Sequence, residues 1–265
     1  MTKSYYSIRT GKNKNIGGVS LEDLKELFLK VYKHFNRNDF FVENIHRTPD
    51  DDIELEILLK IRKQSLWPIE ICIHTYEEDD LFDIMEFLYQ KISKPIEGSE
   101  YEDQIYWDTF NKTEGQSAYR EKINEVLALY EKPYELSTDG EILQKSESGF
   151  EQIFEADIPT SNEDIRKRLE AAILKYRRHG STLDDRRAVI RDLVDVIEYL
   201  RPQVKSLLTK KDESDLFNIA NNFGIRHHNE KQKTDYDAAL WLSWMFYFYL
   251  STIHVILRKI QKEKT

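Results

Sequence analysis

Residues 217–260 read FNIANNFGIRHHNEKQKTDYDAALWLSWMFYFYLSTIHVILRKI, and this stretch decides how the C-terminal third of the chain is interpreted. A polar cluster, RHHN at residues 226–229, follows Gly224 and precedes the most apolar segment of the chain. A glycine just beyond a periodic apolar run is typical of a helix end, and the apolar segment predicts a long helix over residues 235–260. The sequence thus places a charged cluster at a turn between two helices.

Helix signals continue upstream of this turn as far as residue 161. Polar residues that cap helices precede apolar runs with helical spacing, and a proline interrupts one of these runs at Arg201-Pro202. The first predicted helix is capped by Ser161 or Asn162, and the next ones begin near Leu183 and at Asp212. A short piece is expected at residues 204–208, and Thr234 and Asp237 form a capping box for the last helix. Residues 160–265 are therefore predicted to form an all-α bundle of four to five helices.

The first 155 residues mix helix and strand signals and predict an α+β domain. Asp139-Gly140 between two apolar pairs is a strong hairpin signal. Strands are expected at residues 5–10 and 69–74, and a strand or loop at 39–45. Ser20 caps a predicted helix, and Pro49 opens a helix or a long strand, of which the apolar spacing favours the helix. The remaining expectations are a loop over residues 97–114, a helix over 118–130 and a linker over 146–159. The expected division is a domain at residues 1–155 followed by the bundle at 160–265.

Charge is distributed unevenly along the 265 residues. Residues 39–160 hold 30 acidic and 11 basic side chains, whereas residues 161–265 hold 15 acidic and 20 basic ones. A net charge of −9 argues against general binding to nucleic acid, but it leaves room for a local basic site in the last third.

Cysteine content and the N-terminal sequence indicate a cytoplasmic protein. The single cysteine, Cys72, cannot form an internal disulfide and is expected to be a small buried apolar residue. The first residues, MTKSYYSIRT, lack the apolar core of a signal peptide. Residues 238–257 carry their aromatic side chains in the middle rather than at the ends, so we expect a bundle helix and no membrane partner.

The nucleotide-binding, dehydrogenase, metalloprotease and α/β-hydrolase motifs are absent from the sequence. No zinc-type spacing of cysteine and histidine occurs, so we expect no metal and no cofactor. The triple aspartate at residues 50–52 could hold a metal, but a solvated helix N-terminus is the preferred interpretation.

The cluster at residues 226–229 contains the residue types that metal-independent RNA cleavage needs. A base must take the 2′-hydroxyl proton and an acid must protonate the leaving 5′-oxygen, and His227 and His228 suit both roles because histidine titrates near neutral pH. Arg226 suits the third role, which is to stabilise the charged phosphorane. The competing interpretation is that these side chains cap helix ends at a tight turn.

The C-terminal third resembles the HEPN domain, a helical bundle common in bacterial defence and toxin systems. HEPN ribonucleases carry an arginine, a polar residue and then a histidine after four to six intervening residues, at the start of the last long helix. Arg226 and His227 stand at the first two positions, the expected histidine positions fall on Lys231, Gln232 and Lys233, and His228 would have to substitute for that histidine. The resemblance implies an RNA substrate and a homodimer formed through the C-terminal bundle.

The N-terminal part is similar to the N-terminal domains of AbiJ-type abortive-infection proteins. The resemblance is carried by YSIRTG at residues 6–11, the capped helix SLEDLKELFLKVYKHF at residues 20–35, and Phe40-Phe41. It implies a sensing or regulatory domain, a role in phage defence and a protein regulator as a further partner.

Three residues are expected to support the cluster. Glu198 is the preferred member of an acidic trio with Asp192 and Asp195 that shares roughly one helix face, and it would orient a histidine or pair with Arg226. Pairing of this trio with Arg191 or Arg201 on a solvated face is the alternative. Asn222 and Asn229 complete the predicted site, and His254 is expected to be a core or interface residue.

Two functions remain open from the sequence. The first is a toxin-like or defence endoribonuclease that works without a metal. The second is an inactive HEPN-like module that binds nucleic acid, a nucleotide or a protein partner as a regulatory or structural subunit.

Overall fold

The computed structural model describes residues 5–6, 10, 18–102, 104–145, 149–225 and 236–263. The chain divides into two compact units, Met1–Gln144 and Lys145–Thr265. Each unit has its own buried apolar cluster. The division falls before the short helix at Glu151–Glu155, which therefore belongs to the second unit.

The first unit combines helices with two β-hairpins. Its α-helices are α1 (Leu21–Arg37), α2 (Asp50–Ile61), α3 (Ile69–Cys72), α4 (Glu78–Lys91) and α5 (Lys112–Leu127), with a π-helix at Val42–His46 and a 3₁₀-helix at Ile73–Thr75. Strands β1 (Lys94–Tyr101) and β2 (Gln104–Asn111) pair antiparallel, and so do β3 (Tyr134–Leu136) and β4 (Ile142–Gln144). An α+β arrangement of the first unit follows directly from these elements.

Local side-chain chemistry explains where α1 begins. The Ser20 hydroxyl accepts a hydrogen bond from the Asp23 N–H, and the Asp23 carboxylate accepts one from the Ser20 N–H. This capping box satisfies two backbone donors that a helix N-terminus leaves free. Leu24, Phe28 and Phe35 then recur on the buried face, as their spacing predicts.

The predicted hairpin at Asp139-Gly140 is confirmed. Gly140 has φ +85°, which favours glycine, and a Cβ there would lie 2.2 Å from the Tyr89 ring. The Asn124 side chain on α5 donates to the Leu136 carbonyl and accepts from the Leu136 N–H, at 3.0 and 2.7 Å. The backbone of the hairpin is therefore hydrogen-bonded to a side chain of α5.

Several predicted strands are helical. Residues 69–74 form α3 and part of the 3₁₀-helix, because Ile69 and Ile73 are buried one helical turn apart while Ile71 is 72% exposed. Of residues 5–10, Tyr6 is helical and the Thr10 N–H donates to its carbonyl oxygen, so the strand prediction is wrong where the chain is described. Residues 39–41 form a turn and residues 42–45 belong to the π-helix, so the strand is the wrong one of the two alternatives for residues 39–45.

The loop predicted over residues 97–114 is also wrong. Most of this stretch forms β1 and β2, and α5 begins at Lys112, six residues before its predicted start. Register shifts next to Glu97 break the alternation of the strand, and most positions of β1 are exposed. An exposed, bulged hairpin shows no apolar period of two, which is the signal that sequence inspection depends on.

The regular elements in the described part of the second unit are all helices. They are α6 (Glu151–Glu155), α7 (Glu163–Arg177), α8 (Leu183–Tyr199), α9 (Arg201–Leu207), α10 (Lys210–Asn222) and α11 (Ala238–Glu263). Capping side chains stand before four of them: Asn162 for α7, Thr182 for α8, Thr209 for α10 and Asp237 for α11. Pro202 lies in the first turn of α9, where its missing N–H costs nothing.

The core of the second unit forms where α7 and α11 pack along α8. The Tyr176 ring on α7 stacks on the Phe246 ring of α11 with centroids 3.7 Å apart, and the centroid of the Phe154 ring on α6 lies 5.8 Å from that of Phe246. Ile158 is buried as well. The linker predicted over residues 146–159 is thus wrong for its described part, because its aromatic and aliphatic side chains complete this core.

Helix α11 is long and apolar enough to cross a membrane by length and composition. In the described structure, 61% of its most apolar window is buried, mainly against the other helices of the second unit. Such burial is what a core helix of a bundle shows.

Candidate functional site

The predicted catalytic residues Arg226, His227 and His228 lie outside the described residues, as does Asn229. The structure does describe the residues on either side of them, up to Ile225 and again from Tyr236. We call these flanking residues, which end at Ile225 and resume at Tyr236, the frame of segment 226–235. The geometry of the candidate site is described through this frame and through α8, which contacts α10 and α11.

The end of α10 fixes the residue that precedes Arg226. The Gly224 N–H donates to the Asn221 carbonyl and the Ile225 N–H donates to the Ala220 carbonyl, at 3.4 and 3.0 Å. This is the Schellman pattern, in which a residue with positive φ reverses the chain after a helix. Gly224 has φ +70° and Ile225 is fully buried, so the predicted role of Gly224 is confirmed.

An arginine on α8 also holds this turn. The Arg191 Nε donates to the Ile225 carbonyl oxygen across 2.9 Å. A charged donor makes this hydrogen bond stronger than an ordinary one between neutral groups. Arg191 was expected only as an alternative partner for acidic neighbours, and a contact between residues 34 positions apart leaves no local signal in the sequence.

Replacement of Gly224 by alanine is expected to destabilise the second unit by about 1–2 kcal/mol, because an L-residue is strained at this φ. Thermal or urea unfolding monitored by circular dichroism measures the loss. Gly224→Asn is the matched control, since asparagine tolerates the left-handed region better, and it should lose less. Equal losses for the two variants, or no loss for Gly224→Ala, would show that the turn does not depend on this conformation.

The chain re-enters the described structure next to the place where it left. The Tyr236 hydroxyl donates to the Phe223 carbonyl at 3.3 Å, and the two rings pack edge to face with centroids 5.1 Å apart. Trp241 stacks against the same Phe223 ring at 5.2 Å. Both flanks of the ten-residue segment 226–235 are therefore attached to one aromatic cluster.

Asp237 starts α11. Its carboxylate accepts a hydrogen bond from the Leu240 N–H at 3.1 Å, and its carbonyl accepts from the Trp241 N–H at 3.0 Å. The predicted start of this helix is wrong: the sequence placed Asp237 inside a helix that begins at residue 235, whereas the helix begins at Ala238 and Asp237 precedes it as the N-cap. Thr234, the other half of the predicted box, lies outside the described residues.

Two predicted supporting residues are described. Glu198 is half-buried in the last turn of α8, seven residues after Arg191 and so on a similar side of the helix. Asn222 is the last residue of α10 and is exposed, two residues before the glycine that ends the turn. Both therefore belong to elements that meet at the frame of segment 226–235.

In the described ranges, no group of three or more histidine, cysteine, aspartate or glutamate residues could hold a metal ion. The triple aspartate stands in the first turn of α2, where negative charge is favourable. Asp50 also accepts a hydrogen bond from the Trp67 indole at 2.8 Å. The position of the triple aspartate is therefore explained by the fold of the first unit.

His254 and Cys72 have structural surroundings. His254 is buried in α11 as predicted, and burial, followed by the charge of Arg258, lowers its pKa and favours the neutral ring. Cys72 is half-buried on α3 rather than in a strand, and its thiol donates to the Trp67 carbonyl at 3.3 Å. Burial, together with the nearby Glu54 carboxylate, raises the pKa of the thiol and makes it a weak nucleophile near neutral pH.

No protein-family model, curated protein or solved structure matches the chain significantly. The resemblances to HEPN and AbiJ-type domains therefore stay predictions that depend on the residues quoted for them.

Proposed function

We propose that the second unit is a HEPN-like endoribonuclease that cleaves RNA without a metal, with Arg226, His227 and His228 as its catalytic residues. The observation that carries the proposal is the anchoring of the flanks of segment 226–235. Ile225 is held by the Schellman turn and by Arg191, and Tyr236 is held by Phe223. A site that positions reacting groups needs such fixed attachment points.

The proposed chemistry assigns one role to each residue type. His228 or His227 takes the proton from the 2′-hydroxyl, whose oxygen then attacks the adjacent phosphorus. The other histidine gives a proton to the 5′-oxygen as the P–O bond breaks. Arg226 binds the non-bridging oxygens, where negative charge grows in the transition state. Glu198, Asn222 and Asn229 support these groups by orienting or hydrogen bonding.

The second candidate function is a HEPN-like module that binds nucleic acid, a nucleotide or a protein without turnover. It is favoured by the spacing of the cluster, because the histidine positions of the family pattern are occupied by Lys231, Gln232 and Lys233. Two of these three residues, Lys231 and Lys233, are basic, and their charge suits the binding of a phosphate backbone without turnover.

One experiment separates the two functions. The full chain is mixed with labelled single-stranded RNA in buffer containing a chelator, and binding by fluorescence anisotropy is recorded beside cleavage on a denaturing gel. Cleavage supports the ribonuclease. Stable binding without product supports the module, and neither binding nor cleavage contradicts both proposals for an RNA ligand.

We further propose that the first unit regulates the second in a cytoplasmic phage-defence or toxin-like role. Support comes from the AbiJ-type resemblance and from the excess of acidic over basic side chains in residues 39–160. An acidic surface suits a basic protein regulator or holds a basic site in check.

A homodimer through the second unit is proposed on the basis of α11. Leu240, Trp244, Phe248, Ser251 and Val255 form its outer stripe at helical spacing, and Leu240, Trp244 and Val255 are 63%, 41% and 65% exposed. No aspartate, glutamate, lysine or arginine occurs between Asp237 and Arg258, so two copies of the stripe meet without charge repulsion. An apolar groove of about 480 Å³ beside it is lined in part by Phe150 and Ile153.

The dimer makes a direct prediction. Trp244→Glu places a charge in the outer stripe and is expected to convert the dimer to a monomer, because the charge would be desolvated in the interface. Light scattering coupled to size exclusion measures the mass of each variant. Tyr199→Glu is the control, since Tyr199 is an aromatic residue of the same unit that is 66% exposed and lies outside the stripe. A monomeric wild-type chain, or a dimer in both variants, contradicts this interface.

A further inference from the structure

A cavity of about 570 Å³ opens between α9 and α10, in the second unit. Arg201, Lys205 and Lys210 contribute three positive charges to its lining, and Glu213 contributes one negative charge. Phe217, Ser214 and Asn218 from α10 supply an aromatic ring and polar groups. The cavity is therefore basic and is lined by donors.

Arg201 is held in a fixed orientation by two contacts. Its Nε donates to Glu213 Oε1 at 2.6 Å, and its guanidinium carbon lies 4.9 Å from the centroid of the Phe217 ring. Glu213 is only 7% exposed, so this carboxylate needs the arginine as its partner. An arginine held through Nε and the face of its guanidinium keeps its two terminal amino groups for a ligand, and this fork matches the geometry of a phosphate.

The two lysines are uncommitted in the described structure. Lys205 and Lys210 are exposed, and neither forms a salt bridge with another described residue. Glu213 neutralises Arg201, which leaves the charge of both lysines to attract an anion. The Ser214 hydroxyl accepts a hydrogen bond from the Asn218 amide at 3.2 Å, and the hydroxyl hydrogen stays available to a ligand.

We infer that this cavity binds a phosphate group, carried by an RNA strand or by a free nucleotide. Arg201 binds two phosphate oxygens, and Lys205 and Lys210 neutralise the charge. The inference deepens the proposed function and, for an RNA ligand, rests on it. Helix α10 runs from Lys210 to Asn222, and its 13 residues extend about 20 Å. An RNA held at both ends of this helix must therefore be several nucleotides long.

The first test removes both uncommitted lysines. Lys205→Ala combined with Lys210→Ala is expected to weaken binding of a labelled single-stranded RNA about tenfold and to reduce the slope of log affinity against log salt by about 1.4, since each phosphate contact contributes about 0.7. Fluorescence anisotropy over a salt series gives both quantities. Lys259→Ala with Lys262→Ala is the matched control, because these lysines are exposed on the last turns of α11 and remove the same charge.

A second variant tests the guanidinium fork. Arg201→Lys keeps the charge beside Glu213 but lacks the two parallel donors, so it is expected to weaken RNA binding. The unfolding temperature of the same variant measures separately what the lost contact with Phe217 costs in stability. Competition by inorganic phosphate and by adenosine monophosphate separates the sources. Displacement of RNA by the monophosphate at low concentration indicates a nucleotide site. Weak competition by both compounds indicates an RNA strand, provided that the protein also loses affinity for the RNA when the RNA is shortened to a trinucleotide.

Different results overturn the phosphate site and the proposed ribonuclease. RNA affinity and salt slope that match the control lysine pair overturn the phosphate site, even when cleavage depends on Arg226. Weaker binding of the double variant, with no cleavage by the wild-type chain, supports the phosphate site and contradicts the ribonuclease. Absence of binding to both RNA and monophosphate by the wild-type chain also overturns the site.

Discussion

Arg226→Ala is expected to reduce the rate of RNA cleavage by about 10²–10³-fold, because it removes a donor that stabilises charge only in the transition state. His228→Ala is expected to cost about 10²–10⁴-fold, since it removes a group that transfers a proton. Single-turnover rates on a labelled oligoribonucleotide measure both losses. The cleavage rate of the double variant should be only slightly lower than that of the slower single variant, as expected for groups that act in one step.

The controls for this prediction lie in the same segment and on α11. Gln232→Ala changes a neutral side chain of segment 226–235, and Lys262→Ala removes a positive charge from the far end of α11. Both should cleave RNA at close to the wild-type rate. Unchanged cleavage in Arg226→Ala and His228→Ala would remove both residues from the catalytic role and favour the binding module.

Phe246→Ala is expected to destabilise the second unit by about 3–5 kcal/mol, the usual cost of deleting a buried aromatic ring. Phe246 is fully buried, stacks on Tyr176 at 3.7 Å and lies against Phe154. Its removal leaves a cavity among three helices that were brought together by this ring. Calorimetry of the full chain measures the change, and the transition that belongs to the first unit should stay in place if the units unfold separately.

Tyr199→Ala is the control for the loss at Phe246. Tyr199 is also an aromatic residue of the second unit, but it is 66% exposed at the end of α8, so its replacement should cost well under about 1 kcal/mol. Similar losses for the two variants would mean that the aromatic stack is not the centre of this core.

Helix starts were predictable where the capping signal is local and unambiguous. Ser20 and Asn162 each accept a hydrogen bond from a backbone N–H three residues later, so a short window of sequence contains the whole interaction. The Gly224 turn was predictable for the same reason, since only its own φ and the preceding helix matter.

Exposed or distant interactions were not predictable. The β1–β2 hairpin presents few buried side chains, so its strands lack an apolar period. Residues 150–158 look like a linker in sequence because their apolar side chains match partners far along the chain, as when Phe150 stacks on Tyr247 at 4.1 Å.

In the candidate site, too, local features were predictable and contacts between distant residues were not. Its polar cluster and the turn before it could be read from the sequence, whereas the contact of Arg191 with Ile225 and the packing of Tyr236 on Phe223 depend on the folded bundle. The pairing of Arg201 with Glu213 joins two separate helices, and the sequence suggested only that Arg201 faced acidic neighbours.

The measurement that tests the central claim most directly is the end-group chemistry of RNA treated with the purified full chain in excess chelator. Attack by the 2′-hydroxyl predicts fragments that end in a 2′,3′-cyclic phosphate and fragments that begin with a 5′-hydroxyl, which mass spectrometry resolves. These products, lost in Arg226→Ala and kept in Gln232→Ala, are the expected result. Intact RNA, or cleavage that stops when the chelator is added, would contradict a metal-independent ribonuclease built on Arg226 and His228.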